Sequence, residues 1–171
     1  QFEQALRNVL AVGELAGELG GLLGVPAADC SFVRNTAEAL SMIANGLRLQ
    51  AGDAIVSYVH EYPSNHYPWL LQKSRGVELR LLSNVDPGAG QDLPAGRPRA
   101  WSLAELDRLL DGRTKVVAVS HVQFTSGFAA DLKAVGALCR ERGAFSIVDA
   151  AQSLGALELR PIEHHVDAVA A

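Results

Sequence analysis

The stretch KVVAVSHV (115–122) is apolar along almost its whole length, and helical patterns flank it on both sides. A strand with no polar face is buried on both faces, which is the habit of strands in a parallel sheet covered by helices. The same reading extends to DAIVSYV (53–59), AFSIVDA (144–150) and the closing DAVAA, while VELRLLS (77–83) alternates and CSFVRN (30–35) is a further short strand. Between them lie helical segments at about 1–24, 36–49, Pro68 to about Ser74, 102–110 and 131–142. Alternation of this kind predicts an α/β protein, a three-layer α/β/α sandwich with a mostly parallel sheet. In such sheets ligands bind just beyond the carboxyl ends of the strands, and that is where chemistry is sought.

Local signals set the element ends. Asn35 with Glu38, and Ser102 with Glu105, have the spacing of helix-capping boxes. Ala37, Leu40, Ile43, Ala44 and Leu47 recur on one face of 36–49, and Leu132, Val135, Leu138 and Cys139 on one face of 131–142, which Gly143 stops. Pro68 is expected in the first turn of its helix. Residues 85–100, rich in Pro and Gly, are expected to form a surface loop.

Charge and composition remove several classes of function. A net charge of −4, with no basic cluster, gives no footprint for nucleic acid or for an anionic membrane surface. No apolar run approaches the ~20 residues of a membrane span. Cys30 and Cys139, far apart in the chain, are expected to be buried free thiols in a reducing cytoplasm. The chain opens inside a helical pattern and stops inside a strand pattern, so a fragment truncated at both ends is expected.

Four segments follow predicted strands. RNTAEAL (34–40) turns directly into a helix, whose first amides form a ready anion site; Thr36 adds a hydroxyl, and simple capping is the other reading. HEYPSNHYPW (60–69) gathers aromatic rings that either wall a planar ligand or pack under a loop. His60 and His66 lack the partners of a zinc site, so no metal is expected. SHVQFTSG (120–127) brings Ser120, His121 and Gln123 to a strand end, with no nucleophile elbow around the serine. VDAAQSLG (148–155) ends a buried strand on Asp149, with Gln152 three residues on. Asp149 is either a cap or an acceptor for a ligand. Together the two side chains can grip two edges of a flat heterocycle, and a carboxylate beside a pyridine nitrogen keeps that nitrogen protonated.

Taken in order, FVRNTAEAL, HEYPSNHYPW, SHVQFTSGFAADL and VDAAQSLGALEL resemble the class V aminotransferases, the pyridoxal-phosphate enzymes that include cysteine desulfurases and kynureninase. The resemblance covers essentially the whole chain. It implies the large cofactor domain of a fold-type-I enzyme over residues 30–171, with residues 1–29 as a helical segment packed on it. It implies pyridoxal 5′-phosphate as cofactor, an amino-acid substrate and a cytoplasmic homodimer. It assigns Asp149 to the pyridine nitrogen, Gln152 to the phenolic oxygen and Tyr62 to the ring face. Thr36 and the amides of Ala37 and Glu38 fall to the phosphate, and Gln123 to the segment beside the ring. Asp149 and Tyr62 carry the catalytic roles.

The pattern has departures. Ala37 stands where many relatives have Thr. Cysteine desulfurases usually carry His in place of Tyr62, and kynureninase-like and epimerase-like members tend to carry His in place of Gln152. The family's Schiff-base lysine follows the strand that DAVAA begins, so it is expected beyond Ala171. Lys73, Lys115 and Lys133, the only lysines, are expected away from the ring. Two other functions stay open: cysteine desulfurase or selenocysteine lyase activity in the full-length protein, and a non-catalytic binding protein on the same fold.

Overall fold

A computed structural model describes residues 2–86, 91–92 and 100–171, with the side chains of residues 11–84 and 100–171. Its helices are α1 (Phe2–Leu23), α2 (Thr36–Gly46), α3 (Pro63–Leu70), α4 (Leu103–Leu109) and α5 (Leu132–Arg142). Its strands are β1 (Ala54–Tyr58), β2 (Glu78–Leu82), β3 (Val85–Asp86), β4 (Gln91–Asp92), β5 (Thr114–Ser120), β6 (Phe145–Asp149) and β7 (Ala168–Ala170). Five strands form one sheet in the order β2-β1-β5-β6-β7, and every pairing in it is parallel.

The side chains of these strands split between two cores, as the period of two requires. Val56, Tyr58, Val117, Val119 and Val148 join Leu106 of α4 and Leu132, Val135 and Cys139 of α5 on one face. Ile55, Val116, Ala118 and Ile147 join Leu40 and Ala44 of α2 and Trp69 of α3 on the other. The expected three layers follow directly. Leu23, at the end of α1, joins the first core, and the Arg160 guanidinium donates to the carbonyl of Leu22 at 3.2 Å. Burial pushes the Cys139 thiol up to about 12, so it stays protonated and inert; Cys30 is only half-buried.

Several expectations are corrected. CSFVRN forms no strand: it pairs with none of the five strands and lies beside the outer strand β7, where Ser31 shares a hollow with Ala168 and Val169. The helix expected from Pro68 begins instead at Pro63, the residue that fills its first position, and Pro68 lies inside it. A 3-10 turn over Leu71–Arg75 follows and stops at Gly76, whose φ of 80° suits glycine. α2 ends at Gly46 rather than residue 49, and Ala37 is exposed rather than inward. Within 85–100, Val85–Asp86 pairs antiparallel with Gln91–Asp92; residues 87–90 and 93–99 lie outside the described set.

Both capping residues do their work, but their glutamates do not close the box. Asn35 accepts from the Glu38 amide at 2.9 Å and Ser102 from the Glu105 amide at 3.2 Å. The Glu38 carboxylate takes the Arg34 amide at 2.7 Å, and the Glu105 carboxylate takes the amide and hydroxyl of Ser83 at 2.9 and 2.7 Å. Glu105 thereby ties α4 to the end of β2.

Candidate active site

Strand order reverses between β1 and β5: β2 lies outward of β1, while β6 and β7 run the other way from β5. Loops leaving the carboxyl ends of such neighbours diverge and leave a crevice. A cavity of about 400 Å³ occupies it, lined by Thr36, Tyr62, Ser64, Ser120, Phe124, Asp149 and Gln152, with Val122 and Ala151 completing the wall.

Each side chain is placed by an element end. Thr36 is the first residue of α2. Tyr62 is the N-cap residue of α3 in extended conformation, and Ser64 lies in the first turn. Ser120 and Asp149 close β5 and β6. Gln152 is on the exposed turn after β6.

Asp149 is the electrostatic centre. It is almost fully buried, accepts from the Ala151 amide at 3.0 Å, and has a long contact of 3.4 Å with the Ser64 hydroxyl. Desolvation raises its pKa, against the pull of those two donors. One good donor and one long contact leave a carboxylate facing the cavity with acceptor capacity to spare. That is what a cationic or N–H-bearing ligand group requires.

Tyr62 and Phe124 meet edge to face, ring centroids 5.0 Å apart and planes at 87°. Both are about half exposed, 51% and 47%, so the pair forms a lip to the cavity. Phe124 sits in a tight loop held by the Gln123 amide on Phe128 O (2.9 Å) and the Gly127 amide on Gln123 O (2.8 Å).

Of the residues singled out by sequence, Thr36, Tyr62, Asp149 and Gln152 share this cavity. Gln123 is buried behind it, its amide nitrogen 2.7 Å from Glu61 Oε1. The side chains of Ala37 and Glu38 line a separate hollow on the outer face of α2, where Arg34 holds the Glu38 carboxylate below its ordinary range. The Glu38 amide is taken by the Asn35 cap, so of that pair the Ala37 amide stays the better placed for an anion. Sequence reasoning passed over Glu61, Ser64 and Phe124 as site residues; the only signal was their place inside the segments that follow β1 and β5. None of Lys73, Lys115 and Lys133 lines the cavity, and Lys115 stands at the amino end of β5, the far edge of the sheet.

Among the described residues no cluster of His, Cys, Asp and Glu is arranged for a metal ion, and no helix is long and apolar enough to cross a membrane.

The family described as Aminotransferase class-V matches residues 12–171. A probable cysteine desulfurase of Methanothermobacter thermautotrophicus is 31% identical over 163 residues, covering 92% of this chain and 37% of that protein. Among solved structures, a cysteine desulfurase from Thermococcus onnurineus NA1 superposes with a TM-score of 0.78 at 26% identity, over 91% of this chain and 37% of that one. The cysteine desulfurase CsdA from Escherichia coli gives 0.78 at 26% identity, over 98% of this chain and 40% of that one. This chain thus spans well under half the length of the relatives it matches.

Proposed function

The chain belongs to the class V aminotransferase family, and from that membership we propose that it forms part of the cofactor-binding domain of a pyridoxal-phosphate-dependent enzyme acting on an amino acid. Residues 30–171 are that part of the domain, and residues 1–29 are a helical segment packed on it. The full-length protein is a cytoplasmic homodimer in this reading, which rests on the family resemblance.

One observation carries the proposal. The most buried carboxylate of the crevice, Asp149, has few partners of its own and shares its cavity with Thr36, Tyr62 and Gln152. The donor set fits the cofactor. Asp149 holds a proton on the pyridine nitrogen, because a neighbouring negative charge favours the cationic ring. Tyr62, braced edge to face by Phe124, would cover a ring face, and Gln152 would donate to the phenolic oxygen. Thr36 and the start of α2 offer a hydroxyl, free amides and the positive end of a helix dipole to the phosphate. When bound, pyridoxal phosphate supplies an electron sink for the bond broken at the substrate's α-carbon. Burial of Asp149 makes its charge more effective there, since little water screens it.

A second reading is carbon–sulfur bond cleavage on a cysteine-like substrate, favoured by the cysteine desulfurases among the relatives. Transamination has no such support. Titration of the full-length protein with pyridoxal 5′-phosphate, followed by absorbance, tests the common premise. Saturable binding that Asp149→Asn weakens is expected; binding indifferent to that change overturns the reading.

A further inference from the structure

Behind the cavity lies a carboxylate that the proposed chemistry does not use. Glu61 precedes Tyr62 on the loop that leaves β1 and is almost fully buried. Its Oε1 accepts from the Ser120 amide at 2.8 Å and from the Gln123 side-chain amide at 2.7 Å. Its Oε2 is in hydrogen-bond contact with the Ser120 hydroxyl. Fifty-nine residues separate Glu61 from Ser120, so this is a tertiary clamp that joins the β1 and β5 loops across the switch point.

Donor and acceptor roles follow from elementary chemistry. Burial raises the pKa of Glu61, against the pull of donors on Ser120, Gln123 and Asn65; in its ionised form the carboxylate can only accept. Oε1 already takes two N–H donors, and the Ser120 proton goes to Oε2. A serine hydroxyl has one proton and two lone pairs. Once that proton is committed to Glu61, Ser120 can offer only lone pairs to the cavity it lines. Gln123 is fixed the same way: its amide nitrogen faces Glu61, and its Oε1 is buried with no protein partner.

Ser120 is also the register partner of Asp149 on the neighbouring parallel strand. Adjacent strands lie about 4.8 Å apart, so the two side chains share one short stretch of cavity wall. A hydroxyl restricted to accepting therefore stands beside a buried carboxylate.

From this we infer that Glu61 is a positioning residue that sets the polarity of Ser120, making the Ser120–Asp149 wall an acceptor-only surface selective for a cationic hydrogen-bond donor. This rests on the pyridoxal-phosphate reading, which it deepens. The ring-nitrogen side of the site admits a protonated heterocycle and disfavours a neutral one whose lone pair would meet two acceptors. Glu61→Gln breaks the arrangement without changing size. A glutamine amide must turn its N–H₂ either toward Ser120, freeing that proton to point into the cavity, or toward the Gln123 amide, leaving two donors opposed.

The test measures the dissociation constant of pyridoxal 5′-phosphate for the full-length protein and its Glu61→Gln, Ser120→Ala, doubly substituted and Asp149→Asn variants, with the melting temperature of each apo form alongside. Glu61→Gln is expected to weaken binding by about tenfold, the scale of a hydrogen bond to a charged group. Ser120→Ala is expected to weaken it less, since it removes an acceptor without presenting a donor. In the Ser120→Ala background the Glu61→Gln effect should largely vanish, because its route to the ligand is gone. A purely structural Glu61 would lower the melting temperature and leave the dissociation constant unchanged, or act additively with Ser120→Ala; either result overturns the inference. Failure of the parent reading looks different: Asp149→Asn would then bind the cofactor as well as the wild type.

Discussion

Ser120 and Asp149 are register partners that end neighbouring parallel strands, and both side chains face the same cavity. One is hydrogen-bonded back into the protein through Glu61; the other has a single good donor and one long contact. The sheet edge therefore holds its negative charge at the cost of stability, and that cost is measurable without any ligand.

Burial raises the pKa of Asp149 in the folded chain. A carboxyl whose folded pKa exceeds its unfolded value contributes stability in full below the unfolded value, near 3.8, and loses it as pH rises through the folded value. At pH 8 the ionised group is thus a burden on the apo protein. Asp149→Asn keeps the acceptor for the Ala151 amide and removes the charge. Chemical denaturation should find the apo variant at least as stable as the wild type at pH 8, with that advantage gone at pH 3.5. A variant clearly less stable at pH 8 would mean that the charge holds the fold together.

His121 gives the opposite slope. It is buried beside Ser153, with Nδ1 3.0 Å from the serine hydroxyl, and burial followed by the neighbouring His164 lowers its pKa. A histidine with a depressed pKa favours the fold above its unfolded value, near 6.5, and that contribution falls away as pH drops toward the folded value. Stability should therefore decline on acidification from pH 7 to 5, and His121→Gln should flatten the decline. An unchanged slope in the variant would assign the acid sensitivity to another group.

Gly136 tests the packing of α5. A Cβ built there would lie 1.8 Å from the carbonyl oxygen of His164, so the 164–165 backbone sits directly against the helix. His165 in that segment has φ of 54°, in the left-handed region, so the segment already has little freedom to withdraw. Alanine favours a helix over glycine by about 1 kcal/mol, but relieving this overlap should cost about 3 kcal/mol or more. A net fall in melting temperature is expected for Gly136→Ala. A rise would show that the loop yields easily.

The readable parts of this fold were those fixed by local pattern. Apolar runs identified β1, β5 and β6, and the carboxylate that ends β6 lines the cavity at the switch point. Errors arose where long-range pairing or competing signals decide. Phe32 and Val33 look like strand residues, but their segment joins no ladder and both side chains stay exposed. Two prolines, five residues apart, each suit a helix's first turn; Pro63 occupies it and Pro68 is carried inside. Glu61 was not selected from its segment because its meaning lies in Ser120 and Gln123, about sixty residues away.

Asp149→Asn in the full-length protein separates the two readings of the carboxylate that ends β6. The side chain keeps its size, so the Ala151 amide keeps an acceptor and the turn after β6 is preserved. What is lost, under the proposed function, is the charge that would favour a protonated ring nitrogen. That charge matters most when electrons flow into the ring, so the loss should fall on kcat more than on KM. A drop of at least about a hundredfold in kcat is expected, which is roughly 2.7 kcal/mol of barrier. A residue serving only as a cap behaves otherwise, because asparagine caps about as well as aspartate. Near-wild-type turnover by the variant, with cofactor bound, would assign Asp149 to the fold alone.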